Sequence, residues 1–119
     1  MDAAPVVLSA RFELLLDVWR GGDPAALAGL ITPDYLGHML HLSQRERTAD
    51  QYEGWIRRYR EANPGTRFTV EDQSANADRL WSRLTATTED GRHAYGMNVS
   101  RFVDGMIAEE WAIWSDWQS

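Results

Sequence analysis

An α+β fold, with helices gathered on one face of a mostly antiparallel sheet, is predicted for this 119-residue sequence by three observations. Apolar residues recur at helical spacing as far as Asn63, the period changes to strand-like alternation after Pro64, and turn signals then separate the segments at short intervals. Helices followed by a meander of strands define that class.

The first element is a helix over residues 6–20, where Leu8, Phe12, Leu15 and Trp19 form one apolar stripe that Gly21-Gly22 ends. Asp23-Pro24 offers an N-cap followed by proline at the first helical position, and Leu27 and Leu30 fit a short second helix closed by Thr32-Pro33. Residues 35–42, broken by Gly37, read as a short strand or extended edge carrying His38 and His41. Thr48 and Gln51 resemble a capping box, and Tyr52, Trp55, Ile56 and Tyr59 then share one face of a third helix that Asn63-Pro64-Gly65 stops.

Strands are expected over 68–71, 80–88, 93–103 and 106–117, with turns at Asn76-Ala77-Asp78, Asp90-Gly91 and Asp104-Gly105. With no repeat, low-complexity stretch or linker, residues 1–119 read as a single domain.

Composition narrows the chemistry. Cysteine is absent, which excludes disulfides, thiolate nucleophiles and cysteine-based metal sites. All 12 basic residues are arginine, so no lysine is present to form a Schiff base. The net charge of −6 argues against nucleic acid as a partner, since phosphate binding needs a clustered basic surface. Arg57, Arg58 and Arg60, flanked by Glu53 and Glu61, read as a solvated helix face. There is no 18-residue apolar run and no signal-peptide profile, so a soluble cytoplasmic protein without a membrane partner is expected.

The last hairpin has two possible registers. A two-residue Asp104-Gly105 turn pairs Val103 with Met106 and sets Asn98 opposite Trp111; a three-residue loop with Gly105 as a bulge sets Asn98 opposite Glu110. One residue of shift exchanges the two faces of the last strand. The second register puts Ala108, Glu110, Ala112, Trp114 and Asp116 on one face, a set suited to a ligand cavity, and leaves the more apolar Ile107, Glu109, Trp111, Ile113 and Trp117 on the other. The three-residue loop is therefore expected. Because helices cover only one face, the apolar outer face predicts a homodimer.

Taken together, several segments resemble the SnoaL-like polyketide cyclases of the nuclear-transport-factor-2-like superfamily. They are Trp19 with Gly22-Asp23, Leu30 to Tyr35 with His38 beyond, the run from Asn63 to Phe68, Asp78 to Arg83, and above all Arg101 to Trp111. The resemblance implies a cone-shaped, curved sheet packed against three helices, an apolar cavity between them, and a homodimer through the sheet. It also implies acid–base chemistry without cofactor or metal. In the cyclases a histidine and an aspartate on the last two strands serve an intramolecular aldol closure; those positions correspond here to Asn98 and Ala112, which departs from the family pattern at both. In the related ketosteroid isomerases a protonated aspartate at the position of Asn98 donates to the enolate, and an amide can make the same bond. The carboxylate–arginine–carboxylate set of epoxide hydrolases has no clear match.

These readings give the candidate catalytic residues Glu110 as general base or acid, Asn98 as oxyanion donor, and His38 or Asp116 to complete a proton relay. Trp55, Tyr59 and Trp114 are expected as aromatic walls, with Ala112 and Met39 completing a substrate lining. His41 and His93 read as surface residues, and Trp19, Trp81 and Trp111 as core or interface. Arg83 and Arg101 are expected to pair with Glu71 or Glu109 on the outer face. His38 and His41 point to opposite sides of a strand, so no metal site is expected, and no cofactor motif is present. The expected function is that of a cyclase or isomerase acting on a hydrophobic, carbonyl-containing small molecule of polyketide type. A non-catalytic binding or dimerising module, an epoxide hydrolase and an accessory hydroxylation protein are the alternatives.

Overall fold

A computed structural model describes residues 4–119, which form three helical elements and a six-stranded sheet. Helix α1 spans Ala4–Trp19, a 3-10 helix spans Pro24–Gly29, and α2 spans Ala49–Ala62. The strands are β1 (Ile31–Met39), β2 (Glu46–Thr48), β3 (Arg67–Asn76), β4 (Arg79–Thr87), β5 (His93–Val103) and β6 (Met106–Trp114). Their order in the sheet is β2-β1-β6-β5-β4-β3, with β1 and β6 parallel and all other neighbours antiparallel. The α+β class is as predicted.

Local chemistry explains the helices. On α1, Leu8, Phe12, Leu15 and Leu16 are buried in the core. Asp23 caps the 3-10 helix by accepting from the Ala25 amide at 3.0 Å. Both bonds of the capping box at α2 form: the Thr48 amide donates to Gln51 Oε1 at 2.9 Å, and the Gln51 amide donates to Thr48 Oγ1 at 3.5 Å. Arg57 pairs with Glu53 on the solvent side, while Arg60 donates to the carbonyls of Val18 and Gly22.

Strand ends differ from expectation where long-range pairing decides them. Strand β1 begins at Ile31 and stops at Met39, because β6 pairs with it in parallel and a bulge between Ile31 and Leu36 absorbs Pro33. Strand β3 continues to Asn76 because β4 pairs with it throughout. Strand β2 is three residues long and has no periodicity to betray it. Strand β6 ends at Trp114 rather than at residue 117.

The β5–β6 hairpin corrects the expected loop. Asp104 and Gly105 both have positive φ, 51° and 78°, and Val103 pairs with Met106, so the turn is a two-residue one of type I′. Phe102 then faces Ile107 but Arg101 faces Glu109, which makes Ala108 the extra residue of a β-bulge. The bulge supplies the shift that the loop was expected to supply. Asn98 therefore lies opposite Ala112, and Glu110 opposite Ser100, yet all four point to the inner face. Ile107 and Ala108 are both buried, so Ile107 is not an outer-face residue. Glu109, Trp111 and Ile113 remain outside.

Among the described residues no helix is long and apolar enough to cross a membrane.

Candidate active site

Between the helices and the inner face of the sheet lies a cavity of about 310 Å³. Trp19, Trp55, Tyr59, Phe68 and Trp114 form aromatic walls, and Met39 and Ala112 also line it. Trp19 is the hub: its ring meets those of Tyr52, Trp55, Tyr59 and Phe68 edge-on, with centroids 5.3 to 5.9 Å apart. It is thus a cavity residue as well as a core one. The Trp114 indole lies over Gly96, its register partner on β5, where a Cβ would sit 2.5 Å from the ring.

Glu110 forms the polar floor and is only 2% exposed. Tyr35 donates its hydroxyl to Oε1 at 2.9 Å, while Asn98 Nδ2 and Ser100 Oγ donate to Oε2 at 3.0 and 2.9 Å. Burial pushes the pKa of Glu110 above its ordinary value, against the opposing effect of hydrogen bonds from Tyr35, Asn98, Ser100 and Tyr52. Tyr52 is itself oriented, because its oxygen accepts the Trp19 indole N–H at 2.9 Å. Burial, reinforced by the Glu110 charge, raises the pKa of both Tyr35 and Tyr52 well above the usual phenol value, so both remain protonated donors.

Strand geometry explains this convergence. Asn98 and Ser100 are two apart on β5 and share a face, and parallel pairing of β1 with β6 sets Gly37 beside Glu110. A Cβ on Gly37 would lie 2.7 Å from the Tyr35 oxygen, so glycine leaves the room that this phenol occupies. Asn98 also donates Nδ2 to Ser100 Oγ at 2.9 Å. Both amide hydrogens are therefore engaged within the network, and Asn98 positions Glu110 rather than offering a free donor to an oxyanion.

His38 is not part of the cavity. Tyr35, Gly37 and Met39 face inward, so His38 faces outward, with Nε2 2.7 Å from Glu109 Oε2 and the ring stacked on Trp111. The sheet separates it from Glu110, which removes His38 from the expected relay and leaves Asp116, which lines the cavity. The bond to His38, with help from Arg101 at 3.1 Å, holds the Glu109 pKa below its ordinary value. Arg83, by contrast, makes no ion pair among the described residues.

His41 is exposed, as expected of a surface residue, and it also lines the cavity mouth, where the Trp114 amide N–H donates to its Nδ1 at 3.2 Å. Asp116 and Trp117 line the same region beyond the end of β6, so Trp117 is not an outer-face residue either. Among the described residues no three His, Asp or Glu side chains gather as metal ligands.

The sequence matches the SnoaL-like domain family over residues 12–110. The chain belongs to the SnoaL-like family. Its fold is similar to that of wild-type IdmH from Streptomyces antibioticus, a candidate polyketide cyclase, with a TM-score of 0.78 and 24% identity over 91% of each chain. An NTF2-like protein of unknown function from Mesorhizobium loti superposes with a TM-score of 0.77 at 24% identity, covering 98% of this chain and 97% of that one. A candidate ketosteroid isomerase from Kribbella flavida gives 0.79 at 16% identity, with coverages of 97% and 82%. No curated protein matches the sequence.

In this SnoaL-like chain, four polar residues of the site were absent from the sequence-derived set: Tyr52 and His41, which line the cavity, and Tyr35 and Ser100, which hold Glu110 from within the core. Ser100 had a usable signal, since it alternates with Asn98. Tyr52 shares a helical stripe with Ile56 and Tyr59, a pattern that core packing produces equally well. Tyr35 and His41 are placed by the parallel pairing of β1 with β6, for which no local signal exists.

Proposed function

We propose that this protein is a cofactor-independent acid–base enzyme, a cyclase or isomerase acting on a hydrophobic, carbonyl-containing small molecule of polyketide type. One observation carries the reading: a buried carboxyl with a raised pKa, hydrogen-bonded by Tyr35, Asn98 and Ser100 among its donors, on the floor of an aromatic cavity. Glu110 takes a proton from the carbon beside the carbonyl, the C–H electron pair passes into the enolate, and the oxygen gains negative charge. Once Glu110 is protonated it no longer holds the Tyr52 hydroxyl, and Tyr52, whose oxygen still accepts the Trp19 N–H, turns its proton to the enolate oxygen. Attack of the enolate carbon on a second carbonyl breaks its π bond, and the alkoxide so formed takes the proton back from Glu110, which gives cyclisation. Return of the proton to another carbon of the conjugated system gives isomerisation.

The test needs no knowledge of the natural product. In D2O the protein accelerates exchange of the α-hydrogens of 1-tetralone, followed by NMR, and Glu110→Gln slows this about 100-fold with ketone affinity nearly unchanged. Absence of acceleration by the wild-type protein would favour the second reading, a non-catalytic ligand-binding module. What supports that alternative is the presence of Asn98 and Ala112 where the cyclases carry histidine and aspartate.

The same reading includes a homodimer through the outer face of the sheet, where Trp81, Tyr95, Met97 and Ile113 are exposed.

A further inference from the structure

The cavity mouth holds a second polar station that the acid–base reading leaves unused. Just beyond β1 the parallel ladder continues through one more backbone bond, from the Leu40 N–H to the Ala112 carbonyl at 2.8 Å. The Trp114 amide then donates to the ring of His41, 3.2 Å from Nδ1. That bond requires a lone pair on Nδ1, so the neutral ring carries its proton on Nε2. Partial desolvation favours the same form by lowering the His41 pKa, although the Ala112 carbonyl and the Asp116 carboxylate pull the other way. The ring is held as an N–H donor.

Position decides what such a donor can reach. Gly37 pairs with Glu110, and His41 meets Trp114, so four residues of β6 separate the two stations. At a rise of about 3.3 Å per residue this is about 13 Å, too far for one carbonyl to touch both. The lining between them is apolar, with Met39, Ala112 and Trp114. Asp116 adds negative charge at the mouth and disfavours an anionic tail there. Ser115 donates its hydroxyl to the Asp116 carbonyl at 3.0 Å.

We infer that His41 is a specificity residue whose Nε2–H holds an uncharged oxygen acceptor, such as an ether or ketone, at the outer end of a flat, elongated apolar ligand whose inner end reaches Glu110. This rests on the cavity being the ligand site, as proposed above, and not on Glu110 performing chemistry.

Isothermal titration with two naphthols of equal size tests it. Both 6-methoxy-2-naphthol and 6-ethyl-2-naphthol carry a hydroxyl for the inner end, and only the first has an oxygen at the other. The methoxy compound binds the wild-type protein about 3- to 10-fold more tightly, the range of one hydrogen bond. His41→Asn keeps an acceptor for the Trp114 amide but has no N–H at the ε position, so the ratio falls to one or below. His41→Gln restores an N–H there and recovers part of the preference. A ratio near one in the wild-type protein, or an undiminished ratio in His41→Asn, overturns the assignment. Glu110→Gln, which tests the chemistry, leaves the ratio in place, so the two ideas fail separately. Failure of both naphthols to bind would sink both.

Discussion

At Glu110 burial raises the pKa while four hydrogen-bond donors lower it, and burial wins. Removing a donor therefore moves the value further up. Tyr35→Phe takes away the hydroxyl at Oε1, and the acid limb of the kcat/KM profile for α-proton exchange is expected to shift to higher pH, because the base must lose its proton to act. Gly37→Ala pushes the same phenol aside and shifts the limb in the same direction. Stability gives an independent readout. A carboxyl whose folded pKa lies above its unfolded value contributes stability that is complete below the unfolded pKa and is lost as pH rises through the folded one. Glu110→Gln has no charge to desolvate, so its melting temperature relative to wild type should rise between pH 4 and pH 8; a flat difference would contradict a raised pKa. At this scale Glu110 and Asn98 were legible because strand alternation fixes which side chains share a face. His38 was misread for the complementary reason: its facing depends on where β1 lies in the sheet, and so does the cavity position of His41.

At the scale of elements, the β5–β6 hairpin shows how two local features reproduce the effect of a different third one. A type I′ turn plus a bulge at Ala108 gives the same facing of Glu110 as a three-residue loop, because the two registers differ by an even number of residues. Alternation in the sequence reports facing, and it is silent about where the extra residue sits. Gly105 has a φ of 78°, a conformation that costs an alanine about 1 kcal/mol. Gly105→Ala should lower the unfolding free energy by that much, read as a urea midpoint lower by roughly 0.3–1 M at an unchanged m value, whereas a changed m value would mean that the hairpin had rearranged. Gly96 works differently. Gly96→Ala meets the Trp114 indole and should displace it into the cavity, weakening binding of flat ligands while the melting temperature changes little. Tighter binding would mean that Trp114 is not a wall.

For the whole molecule, the separation into helices and then strands was readable because period and turn chemistry are local properties. The strand order was not, since the insertion of β1 beside β6 is a contact between residues about 75 positions apart, as in the Tyr35–Glu110 bond. The outer face follows from the same architecture. With the helices on the inner side, Met97 is 55% exposed and its register partner Ile113 is 48% exposed, with Trp81 and Tyr95 nearby on the same face. Contact between two copies would remove this surface from water, and a two-fold axis through the sheet lets one patch serve as its own partner. The wild-type protein should therefore sediment as a dimer at micromolar concentration, with a melting temperature that rises with concentration. Met97→Glu places a charge within the seam and should give a monomer of the same secondary structure, since Met97 points away from the core. Because the cavity lies on the other side of the sheet, the monomer should bind the methoxynaphthol as tightly as the dimer does. A wild-type protein that sediments as a monomer at 100-fold higher concentration, about 100 μM, would remove the dimer and leave the cavity untouched.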